Sequence, residues 1–150
     1  MKKDALVHTA QTNQLGSPWC ELTLTVPFHD LDPMQIVWHG NYFKYFDQAR
    51  FALFRKHGIE LYDLHRDQGL LLPVTRTQTK YIQALGHGDA FTCRATLVEC
   101  QIKVVIDFII ARSKDGQRCT IGRSEQVALQ MPECELLLEI PGIIRDAFGC

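Results

Sequence analysis

The chain has 150 residues, a length that fits one folded domain. Hydrophobic residues make up 46% and charged residues 22%, and the formal net charge of -1 leaves no basic excess for binding nucleic acid. No apolar window reaches the length of a membrane span, and no signal-peptide core follows the two N-terminal lysines. These features predict a cytoplasmic protein with no membrane span and no nucleic-acid partner.

The cysteines do not predict a disulfide framework. They form no CxxC pair, and the chain is too long for a small scaffold stapled by disulfides. We expect reduced thiols at all six positions, which are Cys20, Cys93, Cys100, Cys119, Cys134 and Cys150.

The chain begins with a polar segment that ends in Gly16-Ser17-Pro18. This segment predicts a flexible N-terminal arm over residues 1–18 and a single domain over residues 19–150. Residues 20–26 then alternate between apolar and polar side chains, which is typical of a half-buried strand.

Residues 40–57 carry an apolar stripe at helical spacing. Tyr42, Phe46, Ala49 and Leu53 follow one another at intervals of three or four positions, so their side chains share one helix face. Further aromatic residues widen this face on both sides. We therefore predict a long central helix that is enclosed by the rest of the domain.

Four further strands are predicted after the helix, over residues 71–82, 90–100, 103–113 and 118–130. The turn signals between them contain Gly and Asp, which tolerate positive φ, so we expect consecutive strands to form antiparallel hairpins. Pro141 predicts a short final helix that packs on the domain. The order of strand, helix and four strands indicates an α+β fold.

Acidic and imidazole side chains concentrate in residues 27–46, PFHDLDPMQIVWHGNYFKYF, between the first strand and the helix. Asp32 precedes Pro33, which biases Asp32 toward an extended backbone and removes one local amide donor. Its carboxylate is therefore a candidate nucleophile or general base. The structural alternative is an Asx turn, in which this carboxylate accepts a hydrogen bond from the local backbone.

The start of the predicted helix is a candidate oxyanion-binding element. Around His39, Gly40 and Asn41 the first backbone N–H groups have no intrahelical acceptor and lie at the positive end of the helix dipole. Losing one such donor typically costs about 3–4 kcal/mol of barrier. These three residues and Tyr42 are candidate oxyanion- or substrate-binding residues, and His39 is also a candidate catalytic residue through its imidazole.

The segment HDLDPMQIVWHGNYFKYFDQAR resembles the signature of hotdog acyl-CoA thioesterases of the 4-hydroxybenzoyl-CoA thioesterase-like family. The segments YIQALGHGD, which begins at Tyr81, and EIPGIIRDAF, which begins at Glu139, are similar to two further parts of that family. Gln35 and Ala84 depart from the resemblance, because relatives often carry glycine and proline there.

The resemblance implies a hotdog fold, in which a five-stranded antiparallel sheet wraps around one long central helix. It also implies acyl-thioester hydrolysis, with Asp32 as the catalytic carboxylate and a backbone N–H near His39 polarising the carbonyl. The implied substrate is an acyl-CoA or an acyl carrier protein thioester, and we expect no cofactor. A homodimer or homotetramer is implied, with each active site at a subunit interface.

Other acidic side chains have their own interpretations. Asp47, inside the helix, is an alternative catalytic acid, although Arg50 three positions later favours a structural ion pair. Asp30 is expected to be a solvated loop charge or a turn residue. The order of histidines and aspartates in the loop fits no common metal-binding motif, so we predict no metal.

Two rival functions remain open at the level of the sequence. One is a non-catalytic acyl-thioester binding module, because a fold does not fix a function. The other is a hotdog hydratase or dehydratase, which would pair a catalytic histidine with a helix acid.

If the substrate is an acyl-CoA, basic side chains are expected to bind the phosphates of coenzyme A. The candidates are Lys80, Arg94, Lys103, Arg112 and Lys114.

Overall fold

The structure is a computed structural model that describes residues 16–150. Its regular elements are, in chain order, strand β1 (Trp19–Thr25), helix α1 (Tyr42–Lys56), helix α2 (Leu61–Gln68), and strands β2 (Leu70–Leu71), β3 (Val74–Tyr81), β4 (Ala90–Glu99), β5 (Val104–Arg112), β6 (Arg118–Gln126), β7 (Leu129–Gln130) and β8 (Glu135–Leu136), followed by helix α3 (Gly142–Phe148). The predicted arm, residues 1–18, lies almost wholly outside the described residues, so the division into arm and domain stays a prediction.

The main sheet has five strands in the order β1-β4-β5-β6-β3, and every neighbouring pair is antiparallel. Alternating side chains on these strands put one face against helix α1, since period-two side chains point to opposite faces of a sheet. The predicted sheet of five antiparallel strands around a long helix is therefore confirmed.

One predicted hairpin is wrong, because β3 does not pair with β4. Strand β3 pairs with β6 at the edge of the sheet, whereas β4 lies between β1 and β5. The turn after β3 bonds instead to the end of β1: Gly88 N–H donates to the Val26 carbonyl at 3.1 Å, and Val26 N–H donates to the Asp89 carbonyl at 2.9 Å. Turn residues permit a reversal of the chain but do not select the strand that the chain pairs with next.

Helix α1 packs its predicted stripe into the core. Tyr42, Phe46, Ala49 and Leu53 are each at most 4% exposed. The Phe46 ring approaches β6 at Gly122, where a Cβ atom would lie 2.9 Å from the ring, so glycine allows the helix to approach the sheet this closely. This packing fixes the position of α1 over the sheet.

The opposite side of α1 is not enclosed, contrary to the prediction. Phe43 and Phe51 are 40% and 39% exposed, and they lie on the side of the helix that faces edge strand β3. Large aromatic side chains thus remain partly uncovered in the single chain.

Helix α2 and a small sheet of three two-residue strands, in the order β2-β7-β8, were not predicted. Helix α2 is mostly polar, with Leu64 as its one buried residue, so its apolar periodicity is weak. The predicted strand over residues 118–130 divides into β6 and β7. No helix within residues 16–150 has both the length and the apolar character that crossing a membrane requires.

The C-terminal tail forms helix α3, as predicted, and buries Ile144 and Phe148.

The prediction of six reduced thiols is wrong for two of the cysteines. A disulfide joins Cys100, after β4, to Cys150, and their Cα atoms are 6.1 Å apart. These residues are separated by 50 positions, and only the packing of α3 on the core brings them together. The remaining four cysteines are free thiols, as expected.

Candidate active site

The loop between β1 and α1 folds back on itself as a short hairpin. Trp38 N–H donates to the Asp30 carbonyl at 3.0 Å, and Asp32 N–H donates to the Ile36 carbonyl at 2.8 Å. Val37 N–H donates to the Leu85 carbonyl at 2.9 Å, which ties the hairpin to the segment after β3. Residues 30–38 therefore have a fixed backbone, and Asp32 stands where the hairpin turns.

The turn itself begins at Asp32. Gln35 N–H donates to the Asp32 carbonyl at 3.0 Å, and Pro33 occupies the second position of this β-turn, where its fixed φ is favourable. The Oδ1 atom of Asp32 accepts a hydrogen bond from Met34 N–H at 2.8 Å. The Asx turn, which was the structural alternative for Asp32, is therefore present. Its hydrogen bond orients the carboxylate, and Asp32 also borders a surface cleft.

Gln35 adopts a left-handed backbone conformation, with φ of 65°. This is the position at which the sequence departs from the glycine that relatives often carry. For an L-residue other than glycine, this region costs about 1–2 kcal/mol. The departure therefore places local backbone strain next to the candidate catalytic carboxylate.

We expect Gln35→Gly to keep the turn, because glycine adopts positive φ without a steric penalty. Gln35→Val should lower the free energy of unfolding by about 1–2 kcal/mol relative to the glycine variant, because a β-branched side chain disfavours this region. Urea unfolding of both variants measures the difference. Equal stabilities would contradict the assignment of strain to this position.

Asp30 is buried rather than solvated, which corrects the prediction for this residue. The residue is 3% exposed, and its carboxylate accepts hydrogen bonds from the Tyr45 hydroxyl at 2.6 Å and from Lys44 Nζ at 2.9 Å. Burial raises the pKa of Asp30, but the hydrogen bonds from Tyr45 and Lys44 outweigh it and hold the pKa below its ordinary value. Burial and the Asp30 carboxylate together raise the pKa of Tyr45. The ionised carboxylate of Asp30 therefore links the loop to helix α1 through these two hydrogen bonds.

The helix start differs in part from the prediction, because helix α1 itself begins at Tyr42 and the backbone N–H of Asn41, a predicted donor, is already hydrogen-bonded. A 3-10 turn over His39–Asn41 leads into α1, and its first hydrogen bond runs from Asn41 N–H to the Trp38 carbonyl at 2.9 Å. The N–H groups of His39 and Gly40 precede this bond, so they are the candidate oxyanion donors. A Cβ atom at Gly40 would overlap the partly exposed Trp38 indole, so a side chain at this position would displace that ring.

Asn41 has a structural contact. Its Nδ2 atom donates to the Asp30 carbonyl at 2.8 Å, which ties the helix start to the loop that carries Asp32. Asp32 and the candidate donors are therefore parts of one hydrogen-bonded unit.

Asp32, His39 and Tyr42 border one open cleft of about 200 Å³, which we call the Asp32 cleft. Its other lining residues are Met34, Ile36, Val37, Tyr81, Ile82, Gln83 and Ala84. The structure thus brings three of the predicted site residues together. Asp32 is the one carboxylate in this mostly apolar lining, an arrangement suited to an acyl group beside a reactive carboxylate.

The far wall of the Asp32 cleft comes from the end of β3 and was not among the candidate site residues. Tyr81 packs edge-on against both His39 and Tyr42, with ring centroids 6.2 Å and 5.3 Å apart. Arg112 holds the following segment by donating to Gln83 Oε1 at 3.3 Å. In the sequence, the only sign that this part of the chain belongs to the site is the resemblance of the segment YIQALGHGD to the family.

Asp47 does not line the Asp32 cleft. It forms an ion pair with Arg50, which also donates to Ser124 Oγ at 2.8 Å, and the two residues border a separate cavity between α1 and β3. The structural ion pair favoured from the sequence is thus present. His39 and Asp47 border different cavities, so the histidine–acid pair that a hydratase would need is not assembled within one chain.

Three of the five basic residues proposed for phosphate contact already form ion pairs within the chain. Arg94 pairs with Glu21 at 2.9 Å, and Lys103 pairs with Glu125 at 3.1 Å. Arg112 pairs with Asp115 at 2.9 Å. Lys80 and Lys114 are the two candidates outside these pairs.

Asp107, on strand β5, is a further carboxylate that is paired within the chain. It accepts two hydrogen bonds from Arg123, at 2.6 Å and 2.9 Å, so it is a structural carboxylate. Within residues 16–150, His, Cys, Asp and Glu side chains form no cluster of three that would hold a metal ion.

The five-stranded antiparallel sheet around α1 defines a hotdog fold, and a loop carboxylate lies beside its helix start. Residues 26–148 match the thioesterase-like superfamily, and the chain belongs to this family. The fold and the family predicted from the sequence are both confirmed. Family membership supports acyl-thioester hydrolysis as the class of reaction.

Individual relatives agree with this placement. The Synechocystis sp. protein sll0410, which is named as an esterase, is 26% identical over 143 residues, covering 94% of this chain and 85% of the relative. The 1,4-dihydroxy-2-naphthoyl-CoA hydrolase of Thermosynechococcus vestitus is 23% identical over 119 residues, or 77% and 80% of the two chains. A 4-hydroxybenzoyl-CoA thioesterase crystallised with 4-hydroxybenzoyl-CoA gives a TM-score of 0.80 at 19% identity, covering 88% of this chain and 99% of that chain.

Proposed function

We propose that this protein hydrolyses acyl thioesters of coenzyme A, with Asp32 as the nucleophile or general base. The observation that carries the proposal is that Asp32 and the start of α1 border the same apolar cleft. A carboxylate on one side of a thioester carbonyl and helix N–H donors on the other are the two components that hydrolysis needs.

In the proposed reaction, the carbonyl oxygen is bound by the N–H groups of His39 and Gly40. Either Asp32 attacks the carbonyl carbon and expels the thiolate, leaving an anhydride that water cleaves, or Asp32 takes a proton from an attacking water molecule. Both routes end in a carboxylic acid and a free thiol. The positive end of α1 stabilises the negative charge that develops on the oxygen in either case.

The acyl group is proposed to be held by the apolar lining of the Asp32 cleft. Two of the relatives are named for aromatic acyl-CoA substrates, and Tyr42 and Tyr81 place aromatic rings along the cleft. Aromatic acyl-CoAs are therefore the first substrates to test. Lys80, on edge strand β3 next to Tyr81, is a candidate contact for the phosphates of coenzyme A.

The function is tested by thiol release from a panel of short-chain, long-chain and aromatic acyl-CoAs. A protein blank is essential because exposed Cys134 also reacts with the thiol reagent. Turnover of any member of the panel supports the proposal. If no acyl-CoA or acyl carrier protein thioester is cleaved while acyl-CoA binds stoichiometrically, the protein is a binding module instead.

We also propose that the protein assembles as a dimer or tetramer through edge strand β3. Seven of the eight β3 residues are exposed, and the partly exposed Phe43 and Phe51 lie beside this strand on α1. An unpaired edge strand next to exposed aromatic side chains is a surface that a second copy of the chain would cover.

Light scattering of the wild type is expected to give the mass of a dimer or tetramer. Phe51→Glu should shift the protein toward monomers, because it places a charge in the proposed interface. Tyr62→Glu is the matched control, since Tyr62 is an exposed aromatic residue on α2. A monomeric wild type, or equal masses for the two variants, would contradict this interface.

Cofactor-independent hydrolysis and a cytoplasmic location stay predictions from the sequence. The first is checked by adding a chelator to the thiol-release assay, which should leave the rate unchanged, because a carboxylate and helix donors suffice for the proposed chemistry.

A further inference from the structure

We propose that Tyr81 is a positioning residue that fixes the oxyanion-binding turn at the start of α1. The proposal rests on the proposed thioesterase function and assigns a role to a residue outside the sequence-derived site. Its basis is a hydrogen bond of 2.9 Å from the Tyr81 hydroxyl to the backbone carbonyl of His39.

The acceptor of this bond belongs to the peptide that carries a candidate donor. The carbonyl of His39 and the N–H of Gly40 share one planar trans peptide, so they point in opposite directions. A hydroxyl that holds the carbonyl therefore also sets the direction of the Gly40 N–H. The same contact restrains the backbone of His39, whose own N–H is the other candidate donor.

The rings around Tyr81 add a second restraint. Tyr81 packs edge-on against the His39 imidazole on one side and against Tyr42 on another, with centroids 6.2 Å and 5.3 Å away. Both neighbours belong to the helix start. Tyr81 thus contacts the turn through its hydroxyl and the helix through its ring.

Tyr81 is itself held by the main sheet. It pairs with Thr120 across β3 and β6, and the next residue, Ile82, donates its N–H to the Cys119 carbonyl at 2.8 Å. The ordinary pKa of a tyrosine, near 10, already keeps the Tyr81 hydroxyl protonated at neutral pH, and partial burial raises this pKa further, so the hydroxyl remains a donor. A rigid strand therefore supports a turn that would otherwise depend on the loop alone.

The reactive groups need such support because catalysis by preorganised donors depends on their orientation. Two hydrogen bonds from the loop, through Asn41 and Trp38, hold the turn on the Asp30 side. Tyr81 holds it from the opposite wall of the Asp32 cleft. The ring of Tyr81 borders the cleft, whereas its hydroxyl, directed at a carbonyl of the protein, acts through His39 and Gly40.

The test compares Tyr81→Phe with Tyr62→Phe, which removes a hydroxyl from an exposed tyrosine on α2. Tyr81→Phe keeps the ring contacts, so we expect the melting temperature and KM to stay close to the wild-type values. The turnover number should fall by roughly 10- to 100-fold, the scale of loss from slight misplacement of reacting groups. The pH profile of turnover should keep its shape, because positioning does not involve a proton transfer by Tyr81.

The outcomes separate this proposal from the proposed function. Wild-type hydrolysis with equal turnover in Tyr81→Phe would overturn the positioning role and leave the thioesterase function standing. A loss that appears in KM alone, or a loss of the alkaline limb of the pH profile, would also overturn it, in favour of substrate binding or acid catalysis by Tyr81.

A measurement without substrate tests the same role if no thioester is cleaved. Backbone order parameters of the His39 and Gly40 amides, measured by NMR, should fall in Tyr81→Phe and stay unchanged in Tyr62→Phe. Unchanged values in both variants would overturn the proposal, whatever reaction the protein catalyses.

Discussion

Asp32→Asn is expected to lower the turnover of acyl-CoA by roughly 100- to 10,000-fold, the range typical of losing a positioned general base or nucleophile. This loss corresponds to about 3–5 kcal/mol of transition-state stabilisation. The asparagine side chain retains an oxygen that accepts the hydrogen bond from Met34 N–H. A purely structural Asx role for Asp32 therefore predicts full activity, which makes the variant a direct choice between the two interpretations.

Thiol release from the best substrate of the panel, with the melting temperature of each variant, measures this effect. Asp63→Asn is the matched control, because Asp63 lies in α2, pairs with Arg66 at the surface and does not border the Asp32 cleft. Asp47→Asn tests the alternative acid: it should retain turnover but lose stability, since it removes the partner of buried Arg50. Undiminished hydrolysis by Asp32→Asn would refute the proposed mechanism.

Asp30→Asn is expected to lower the free energy of unfolding at pH 7 by about 1–3 kcal/mol, because a buried ionised acceptor is replaced by a neutral one. The pKa of Asp30 is lowered in the folded protein, so its stabilising contribution is fully present above the pKa of an unfolded aspartate, near 4. This contribution is lost as the pH falls through the lower folded pKa. The difference between the wild type and the variant should therefore shrink in acid.

Urea unfolding of both proteins at pH 7, pH 5 and pH 3 follows this difference. The exposed lysine partner limits the effect, since a half-exposed ion pair is screened by solvent. Asp63→Asn is again a suitable control, because both members of its ion pair are exposed. A stability difference that stays constant from pH 7 to pH 3 would show that ionised Asp30 is not the source of the stabilisation.

Local patterns predicted the central elements well. The apolar stripe that starts at Tyr42 placed helix α1 correctly, because helical periodicity over fifteen residues is a strong signal. The unbonded N–H groups at His39 and Gly40, and the Asx turn offered as the alternative for Asp32, also follow from rules that act within a few residues. The part of the candidate site that lies in one contiguous segment could therefore be predicted from the sequence.

Features that depend on distant parts of the chain were missed. The burial of Asp30 depends on Lys44 and Tyr45, fourteen and fifteen positions later, and no local rule predicts that pairing. Tyr81 reaches His39 across 42 positions because β3 lies at the edge of the sheet, whereas the turn signals favoured a hairpin with β4. The Cys100–Cys150 disulfide likewise depends on the packing of the last helix.

The two walls of the Asp32 cleft come from separate stretches of the chain. The candidate reacting groups all belong to one hydrogen-bonded segment at the start of α1, whereas residues 81–84 supply the opposite wall from the end of β3. Substitutions at residues 82–84 would change the shape of this second wall, where the acyl group is proposed to bind, while other residues make the hydrogen bonds that orient Asp32 and the helix start. Under the proposed function, the residues that carry out the reaction and the residues that shape the acyl site are therefore different, and positions 82–84 are the place to begin redesigning selectivity.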